Sequence, residues 1–215
     1  MIKALIFDFD GLILDTETPE YRAWAEVYES FGLTLPHDKW MSMIGRGTHE
    51  IAWTPYLGLE EVLGPIDQEA IRAKKRARFA ELMSMETVRP GVVELIDEAF
   101  AHGIALAVAS SSSHDWVDPY LTQLGLIDRF AAIKCRDDVP RAKPAPDLYL
   151  AAVEALSVRV DEAVALEDSP NGIAAAKTAG LYCIAAPNEI TKQLDLSAAD
   201  RIVGSLSEVR LTDFL

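Results

Sequence analysis

Two aspartates stand two residues apart near the start of the chain, directly after a short apolar run. Residues 2–7 are rich in Ile, Leu and Phe, and Asp8, Asp10 and Gly11 follow soon after. A short apolar run that ends in acids is typical of a buried parallel strand that opens onto polar chemistry. Two carboxylates this close repel each other unless a cation joins them, and a hard divalent ion takes oxygen ligands. The spacing therefore predicts a metal-assisted site, with a simple turn at Asp-Phe-Asp-Gly as the alternative.

Polar residues also follow the later strand-like segments of the chain. Taken alone, a serine or an acidic pair at such a place caps a helix, and a loop lysine is solvated. Taken together they favour one common site, because the carboxyl ends of parallel strands lie along the edge of the sheet where ligands bind. The residues in question are Ser110, Ser111, Lys143, Glu167 and Asp168.

The segments that must position these residues alternate between helix and strand from Pro90 onward. Such alternation requires crossover connections, so it predicts a mainly parallel sheet with helices on both faces, a Rossmann-like α/β core. The apolar and helical patterns predict strands at 104–109, 131–134, 163–166 and 182–185, and helices at 91–102, 115–124, 147–156 and 170–179.

An all-helical block interrupts this core between its first and second strands. Apolar residues at helical spacing predict helices that start after Thr16 and at 36–44, 48–57 and 67–85. We therefore expect a catalytic core made of residues 1–15 and 88–215, and a helical cap made of residues 16–87. Thr16 is expected to cap the first cap helix, with Glu17 in its opening turn, where acids suit the helix dipole. Arg46 lies between two glycines in a loop that could face the core site or be solvated.

The composition excludes several classes of protein. Half of the 215 residues are hydrophobic, a quarter are charged, and the net charge of −14 disfavours binding to nucleic acid or to anionic membranes. The sequence has no apolar run of about 18 residues, and its acidic start does not resemble a signal peptide. Cys135 and Cys183 belong to no CxxC pair, which favours reduced thiols in a cytoplasmic protein. We expect that protein to be a monomer.

The quoted residues resemble the haloacid dehalogenase superfamily of phosphohydrolases. The stretch DFDGLILDT at 8–16 is similar to the first motif of that superfamily. The strand-end serine at 110, Lys143 before a proline, and the acidic pair 167–168 before a helix follow in the order of its other motifs. KPAPD at 143–147 and EDSPNG at 167–172 look most like the β-phosphoglucomutase-like phosphatases. The helical block falls where one subgroup inserts its cap.

This resemblance implies a role for each candidate residue. Asp8 would be the nucleophile that forms an aspartyl phosphate, and Asp10 the general acid and base. The expected cofactor is Mg²⁺, held by Asp8, the backbone carbonyl of Asp10 and Asp168, with Glu167 behind them orienting water on the ion. Phosphoryl oxygens would be held by Ser110, Ser111, Lys143 and Gly11, and further substrate contacts would come from Arg46 and Glu17 in the cap.

The function that these roles imply is a Mg²⁺-dependent phosphatase for a small phosphomonoester, such as a sugar phosphate. A phosphosugar mutase is the closest alternative, but that relative carries a histidine in the first cap helix where this chain has Glu20. A phosphorylation-switched module of the receiver type is the non-enzymatic alternative. Such a module must keep its phosphoaspartate, whereas Asp10 would assist its hydrolysis.

Overall fold

The computed structural model describes residues 1–44 and 53–213. Its contacts divide the chain into two compact units. The larger unit consists of Met1–Asp15 and Thr87–Leu215, and the smaller one of Thr16–Glu86.

A six-stranded parallel sheet forms the centre of the larger unit. Its strands are β1 (Ala4–Phe7), β2 (Ala105–Ala109), β3 (Ala132–Lys134), β4 (Ala163–Glu167), β5 (Tyr182–Ala185) and β6 (Arg201–Ile202). They lie in the order β3-β2-β1-β4-β5-β6, and every adjacent pair is parallel. The predicted α/β fold is thus confirmed. Strand β6 was not predicted.

Four helices flank this sheet in the described part of the larger unit. They are α5 (Val92–Ala101), α6 (His114–Gln123), α7 (Asp147–Ala155) and α8 (Pro170–Thr178). The numbers α1 to α4 belong to the helices of the smaller unit, which come earlier in the chain. Helices α7 and α8 pack on the sheet face that carries Ile6, Ala107 and Ala165. Small alanines on this face let the two helices lie close to the sheet. Because α7 follows β3 and α8 follows β4 in a parallel sheet, the loops that lead into both helices start at the carboxyl edge of the sheet.

The described part of the smaller unit contains helices α1 (Glu17–Glu29), α2 (His37–Met41), α3 (Pro55–Leu63) and α4 (Gln68–Met83). Aromatic and aliphatic side chains form its core, including Trp24, Tyr28, Trp40, Leu59 and Ile71. Ion pairs join α4 to α1: Lys75 contacts Glu20 at 2.5 Å, and Arg78 contacts Glu26 at 2.7 Å.

Three expectations for the helical block are corrected. The prediction at 48–57 falls partly on residues 48–52, which lie outside the described residues; residues 53 and 54 are not helical, and α3 runs from Pro55 to Leu63 because Thr54 caps it by accepting a hydrogen bond from the Leu57 amide at 3.2 Å. Helix α2 ends at Met41 rather than at 44. Thr16 precedes α1 but makes no side-chain capping bond, since its backbone is already helical (φ −102°, ψ −19°) and a capping residue needs an extended backbone.

The two chain crossings that bound the smaller unit lie side by side in the larger one. Leu14 and Val88 form an antiparallel bridge, and the Arg89 amide donates to the Ile13 carbonyl at 2.9 Å. The chain therefore leaves the larger unit and returns to it at neighbouring points.

Two further findings concern the chain as a whole. None of the helices within residues 1–44 and 53–213 has the length and apolar character to cross a membrane. Cys135 and Cys183 are buried free thiols.

Candidate active site

The site lies where three adjacent strands end. Asp8 follows β1, Ser110 follows β2, and Glu167 is the last residue of β4. The sheet register sets Phe7 opposite both Val108 and Leu166, so the residues after them are level with one another. At β1 the strand order changes direction, and in open α/β sheets ligands bind at such a switch point.

Lys143 connects two of the carboxylates. Its ammonium lies 2.6 Å from Asp8 Oδ1 and 2.6 Å from Glu167 Oε1, and all three side chains are at least nine-tenths buried. The Tyr149 hydroxyl donates to Glu167 Oε1 at 2.5 Å. Lys143 also lies 5.0 Å from the centroid of the Tyr149 ring. Glu167 is thereby held by a cation and a hydroxyl at once.

The charges of this cluster are not balanced. Burial raises the pKa of Asp8 to about 8; Lys143 opposes the rise, and the acidic groups of Glu167 and Asp10 add to it. Burial alone would lower the pKa of Lys143, but its contacts with Asp8 and Glu167 outweigh burial and raise it. The lysine is therefore charged, and this single cation faces an excess of buried acidic side chains.

A divalent cation fits this excess. Asp8, Glu167 and Asp168 are buried, and each offers a carboxylate oxygen within 4.8 Å of the other two. Carboxylate oxygens are the donors that Mg²⁺ prefers. Glu167 already accepts from Lys143 and Tyr149 through Oε1 and from the Asp168 amide at 3.2 Å through Oε2. This arrangement supports Asp8 and Asp168 as direct ligands, with Glu167 behind them.

Asn188 orients Asp168 in this site and was not found from the sequence. Its side-chain amide donates to Asp168 Oδ2 at 2.9 Å, while its own oxygen accepts from the amides of Ile190 and Thr191, each at 2.9 Å. Both ends of the Asn188 side chain are thus fixed. A Cβ atom at Gly11 would stand 2.1 Å from Asp168 Oδ2, and Gly11 has a φ of +80°, so glycine is required there.

Arg89 fixes the turn that contains Gly11 and was likewise not predicted. It donates to the Gly11 carbonyl, to the Ala186 carbonyl at 3.0 Å and to the Pro187 carbonyl at 2.8 Å. Burial lowers its pKa, and nearby Asp168 opposes that shift. Arg89 therefore ties the first loop to the segment after β5.

Asp10 lies beside the run of serines at 110–113, which we call the serine loop. Its Oδ2 accepts from Ser112 Oγ at 2.7 Å and from Ser110 Oγ at 3.2 Å, and its Oδ1 accepts from the Trp116 indole at 2.8 Å. Ser110 is fully buried, whereas Ser111 is exposed. Of the predicted phosphate-binding serines, the structure thus brings Ser110 to Asp10.

Of the two residues predicted to contact substrate from the cap, Glu17 and Arg46, the structure describes only Glu17. Glu17 is the first residue of α1 in the smaller unit, where it is half-buried. Arg46 lies outside the described residues. Its contact with substrate stays a prediction.

The site residues that were not predicted belong to no motif with a characteristic spacing. Trp116 and Tyr149 lie in helices, where aromatic residues at helical spacing indicate core. Asn188 follows the last long strand in a segment without regular periodicity. No motif pointed to any of them.

Comparison with known proteins identifies relatives along almost the whole chain. Residues 5–186 match the family described as "Haloacid dehalogenase-like hydrolase". A Bacillus subtilis protein named "Putative phosphatase YhcW" is 43% identical over 212 residues, which cover 98% of this chain and 95% of that protein. Validoxylamine A 7'-phosphate phosphatase of Streptomyces hygroscopicus subsp. limoneus is 30% identical over 211 residues, which cover 98% and 97% of the two chains.

Crystal structures of CbbY from Rhodobacter sphaeroides have the same fold. The complex with phosphate superposes with a TM-score of 0.73 at 34% identity, covering 97% of this chain and 96% of that one. A mutant of CbbY in complex with xylulose-(1,5)bisphosphate gives the same TM-score and coverage at 33% identity. The family match and these relatives agree with the resemblance seen in the motifs. The chain belongs to the haloacid dehalogenase-like hydrolases, and within that superfamily it is a phosphatase.

Proposed function

We propose that the protein hydrolyses a small phosphomonoester with the help of Mg²⁺, through an aspartyl phosphate on Asp8. The observation that carries this proposal is the buried contact of Asp8 with Lys143, beside the carboxylates of Glu167 and Asp168. A carboxylate at the end of a central strand, next to a cation, is suited to attack an electrophilic phosphorus. A purely structural ion pair would not need two further buried acids.

The first half of the reaction transfers the phosphoryl group to the enzyme. An oxygen of Asp8 forms a bond to phosphorus while the bond to the leaving alkoxide breaks, and Asp10 gives its proton to that alkoxide. Lys143 and Ser110 stabilise the negative charge on the phosphoryl oxygens. In the second half Asp10 takes a proton from water, which attacks phosphorus, and the bond to Asp8 breaks. Inorganic phosphate leaves, and both aspartates return to their starting forms.

Asp8, the backbone carbonyl of Asp10 and Asp168 would hold the metal ion, and Glu167 would lie behind them and orient water on the ion. The bound ion supplies charge that screens the anionic nucleophile from the anionic phosphate. Asn188 fixes Asp168 for this purpose, and Lys143 bridges Asp8 and Glu167.

A sugar phosphate or a metabolite of similar size is the substrate class we propose. The CbbY structures hold phosphate and xylulose-(1,5)bisphosphate, which are ligands of this kind. We propose that Gly11 and Ser111 add contacts to the phosphate and that residues 16–87 act as the cap, with Glu17 and Arg46 contacting the rest of the substrate.

Hydrolysis is favoured over the mutase reaction. Glu20 occupies the place of the mutase histidine, and its carboxylate is paired with Lys75 at 2.5 Å inside the smaller unit. A carboxylate engaged in this way does not replace an imidazole in moving a proton. We therefore expect phosphate to be released rather than moved between two positions on a sugar.

The test is a pair of isosteric variants with a matched control. Asp8→Asn should abolish phosphate release, and Asp10→Asn should lower it by about 10² to 10⁴, because it removes general acid–base catalysis. Asp128→Asn changes an exposed residue in the short helix Ile127–Arg129 before β3, and it should leave release unchanged. Phosphate release from sugar phosphates and nucleotides is measured with and without Mg²⁺. Substantial Mg²⁺-dependent release by a folded Asp8→Asn variant would overturn the assignment.

A further inference from the structure

We infer that Trp116 is a positioning residue for Asp10 and that it directs the catalytic proton to Asp10 Oδ2. This inference deepens the proposed function and rests on Asp10 being the general acid and base. Its basis is the hydrogen bond of 2.8 Å from the indole Nε1 to Asp10 Oδ1. No motif in the sequence pointed to this residue.

The indole is itself held in place. Trp116 lies in the first turn of α6, and its ring meets Tyr120 edge-on, with centroids 4.7 Å apart. Tyr120 in turn contacts Phe9, at 6.5 Å between ring centroids, and Phe9 is the residue between the two aspartates. The aromatic contacts therefore connect the helix that carries the donor to the loop that carries the acceptor.

The two oxygens of Asp10 have different kinds of partner. Oδ2 accepts from hydroxyl groups, those of Ser110 and Ser112. A hydroxyl rotates and can also accept, so it tolerates a proton on Oδ2. An indole nitrogen can only donate, so Oδ1 must remain an acceptor. A proton on Asp10 therefore belongs on Oδ2, the oxygen that faces the serine loop.

The hydrogen bond from Trp116 should also outlast the one from Ser110 during turnover. A serine hydroxyl can donate only one hydrogen bond, and Ser110 is proposed to donate that bond to a phosphoryl oxygen when substrate binds. Asp10 then loses the hydrogen bond from Ser110 at the step in which the orientation of the Asp10 carboxyl group decides the proton transfer. The indole has no part in binding phosphate, so it restrains Oδ1 throughout.

The experiment compares leaving groups of different basicity. Trp116→Phe keeps an aromatic ring against Tyr120 and removes the N–H group. Single-turnover phosphorylation of Asp8 is measured with p-nitrophenyl phosphate, whose leaving group needs little protonation, and with an alkyl sugar phosphate, whose leaving group needs a proton. We expect Trp116→Phe to slow the alkyl ester about tenfold or more and the aryl ester by less than about threefold, a weaker form of the pattern of Asp10→Asn.

Trp40→Phe is the matched control. The Trp40 indole N–H is buried and has no hydrogen-bond partner within residues 1–44 and 53–213, so this change loses packing but no such bond. Equal slowing of both esters by Trp116→Phe would overturn the positioning role and leave the function intact. Equal slowing by Asp10→Asn would instead overturn Asp10 as the acid, and the inference with it.

A second measurement uses the unaltered tryptophan, in case Trp116→Phe does not fold. The indole N–H signals of the ¹⁵N-labelled protein are recorded with Mg²⁺, before and after addition of beryllium trifluoride, which mimics the phosphoryl group on Asp8. We expect the Trp116 signal to stay at low field and protected from exchange with water in both states. A loss of that protection when the mimic binds would show that the indole releases Asp10, and it would overturn the inference.

Discussion

Gly172 lies against Glu167, and its lack of a side chain leaves room for that carboxylate. A Cβ atom there would lie 1.9–2.0 Å from the carboxylate of Glu167, a distance that real Cβ atoms do not reach. Glu167 cannot move away cheaply, because it is fully buried and bonded to Lys143 and Tyr149. We expect Gly172→Ala to lower the free energy of unfolding by about 3 kcal/mol and to reduce phosphate release strongly.

Urea-induced unfolding and phosphate release measure these two effects. Gly125→Ala is the control, because a Cβ there meets nothing within 4 Å and only its φ of +70° is unfavourable. It should cost about 1 kcal/mol and leave phosphate release unchanged. Equal losses of stability in the two variants would contradict the steric role of Gly172.

Asp168 is expected to carry much of the affinity for Mg²⁺. Adding Mg²⁺ at about 100 times its dissociation constant should stabilise the protein by about 2.7 kcal/mol, and chelation should remove that gain together with activity. Asp168→Asn should lose most of the gain, yet without metal it should be at least as stable as the wild type, since one buried acid is gone. Thermal unfolding with Mg²⁺ and with EDTA tests both statements. Asp128→Asn should respond to Mg²⁺ as the wild type does, and an undiminished response of Asp168→Asn would exclude it as a ligand.

At the scale of elements, one histidine joins the start of α6 to the segment after β3. His114 contacts Asp118 at 3.1 Å and Asp138 at 2.9 Å, and its backbone amide donates to Asp137. Burial works against the charged imidazole, but the bonds to Asp118 and Asp138 outweigh it and raise the pKa of His114 above its usual 6.5. Burial raises the pKa of Asp138, but the hydrogen bond from the Cys135 backbone amide, followed by the contacts with His114, outweighs burial and lowers that pKa.

This contact should make stability depend on pH. Because the pKa of His114 is higher in the folded protein, its contribution is complete below pH 6.5, the ordinary value, and is lost as the pH rises through the folded value. His114→Gln should therefore be less stable than the wild type at pH 5.5, by about 1 kcal/mol or less, and the gap should close toward pH 9. Thermal unfolding across that range measures it. A gap that does not change with pH would mean that the charge of His114 contributes nothing.

The elements that the sequence pattern predicted are the long and periodic ones. Strand β4 and helix α5 have apolar runs or faces that indicate their type directly. Strand β6 consists of Arg201 and Ile202, which is too short for any period to appear. The helix predicted at 48–57 ran through Thr54, which instead caps α3, because the apolar pattern continues on both sides of this residue and a capping bond is decided by backbone geometry.

The same limit applies to the candidate site. Asp8 and Glu167 follow predicted strands, and Lys143 lies in a loop between two predicted elements. Topology alone therefore indicates that the three residues lie near one another, and in the structure Lys143 contacts both carboxylates. Trp116 and Asn188 act through the direction of one side-chain atom. Their contribution depends on a helix orientation and a loop conformation that no local pattern encodes.

At the scale of the whole molecule, the net charge of −14 opposes the approach of an anionic substrate. The Debye length falls from about 30 Å at 0.01 M salt to about 8 Å at 0.15 M, so added salt should screen this repulsion but leave the buried Lys143 contact intact. We expect KM for a sugar phosphate to fall about two- to fivefold over that range at constant free Mg²⁺, with kcat unchanged. Steady-state kinetics in KCl measure it, and a KM that rises with salt would show that local positive charge dominates.

Leu14 and Val88 are neighbours in an antiparallel pair, so the ends of the inserted segment are separated by only about 5 Å. A two-residue turn can bridge that gap. Closing a longer loop costs only about 0.6 kcal/mol for each doubling of its length. The length of the segment between these two residues therefore has little effect on the stability of the sheet. We therefore expect that recombination between relatives can exchange the inserted segment without disturbing the sheet or the residues at its carboxyl edge.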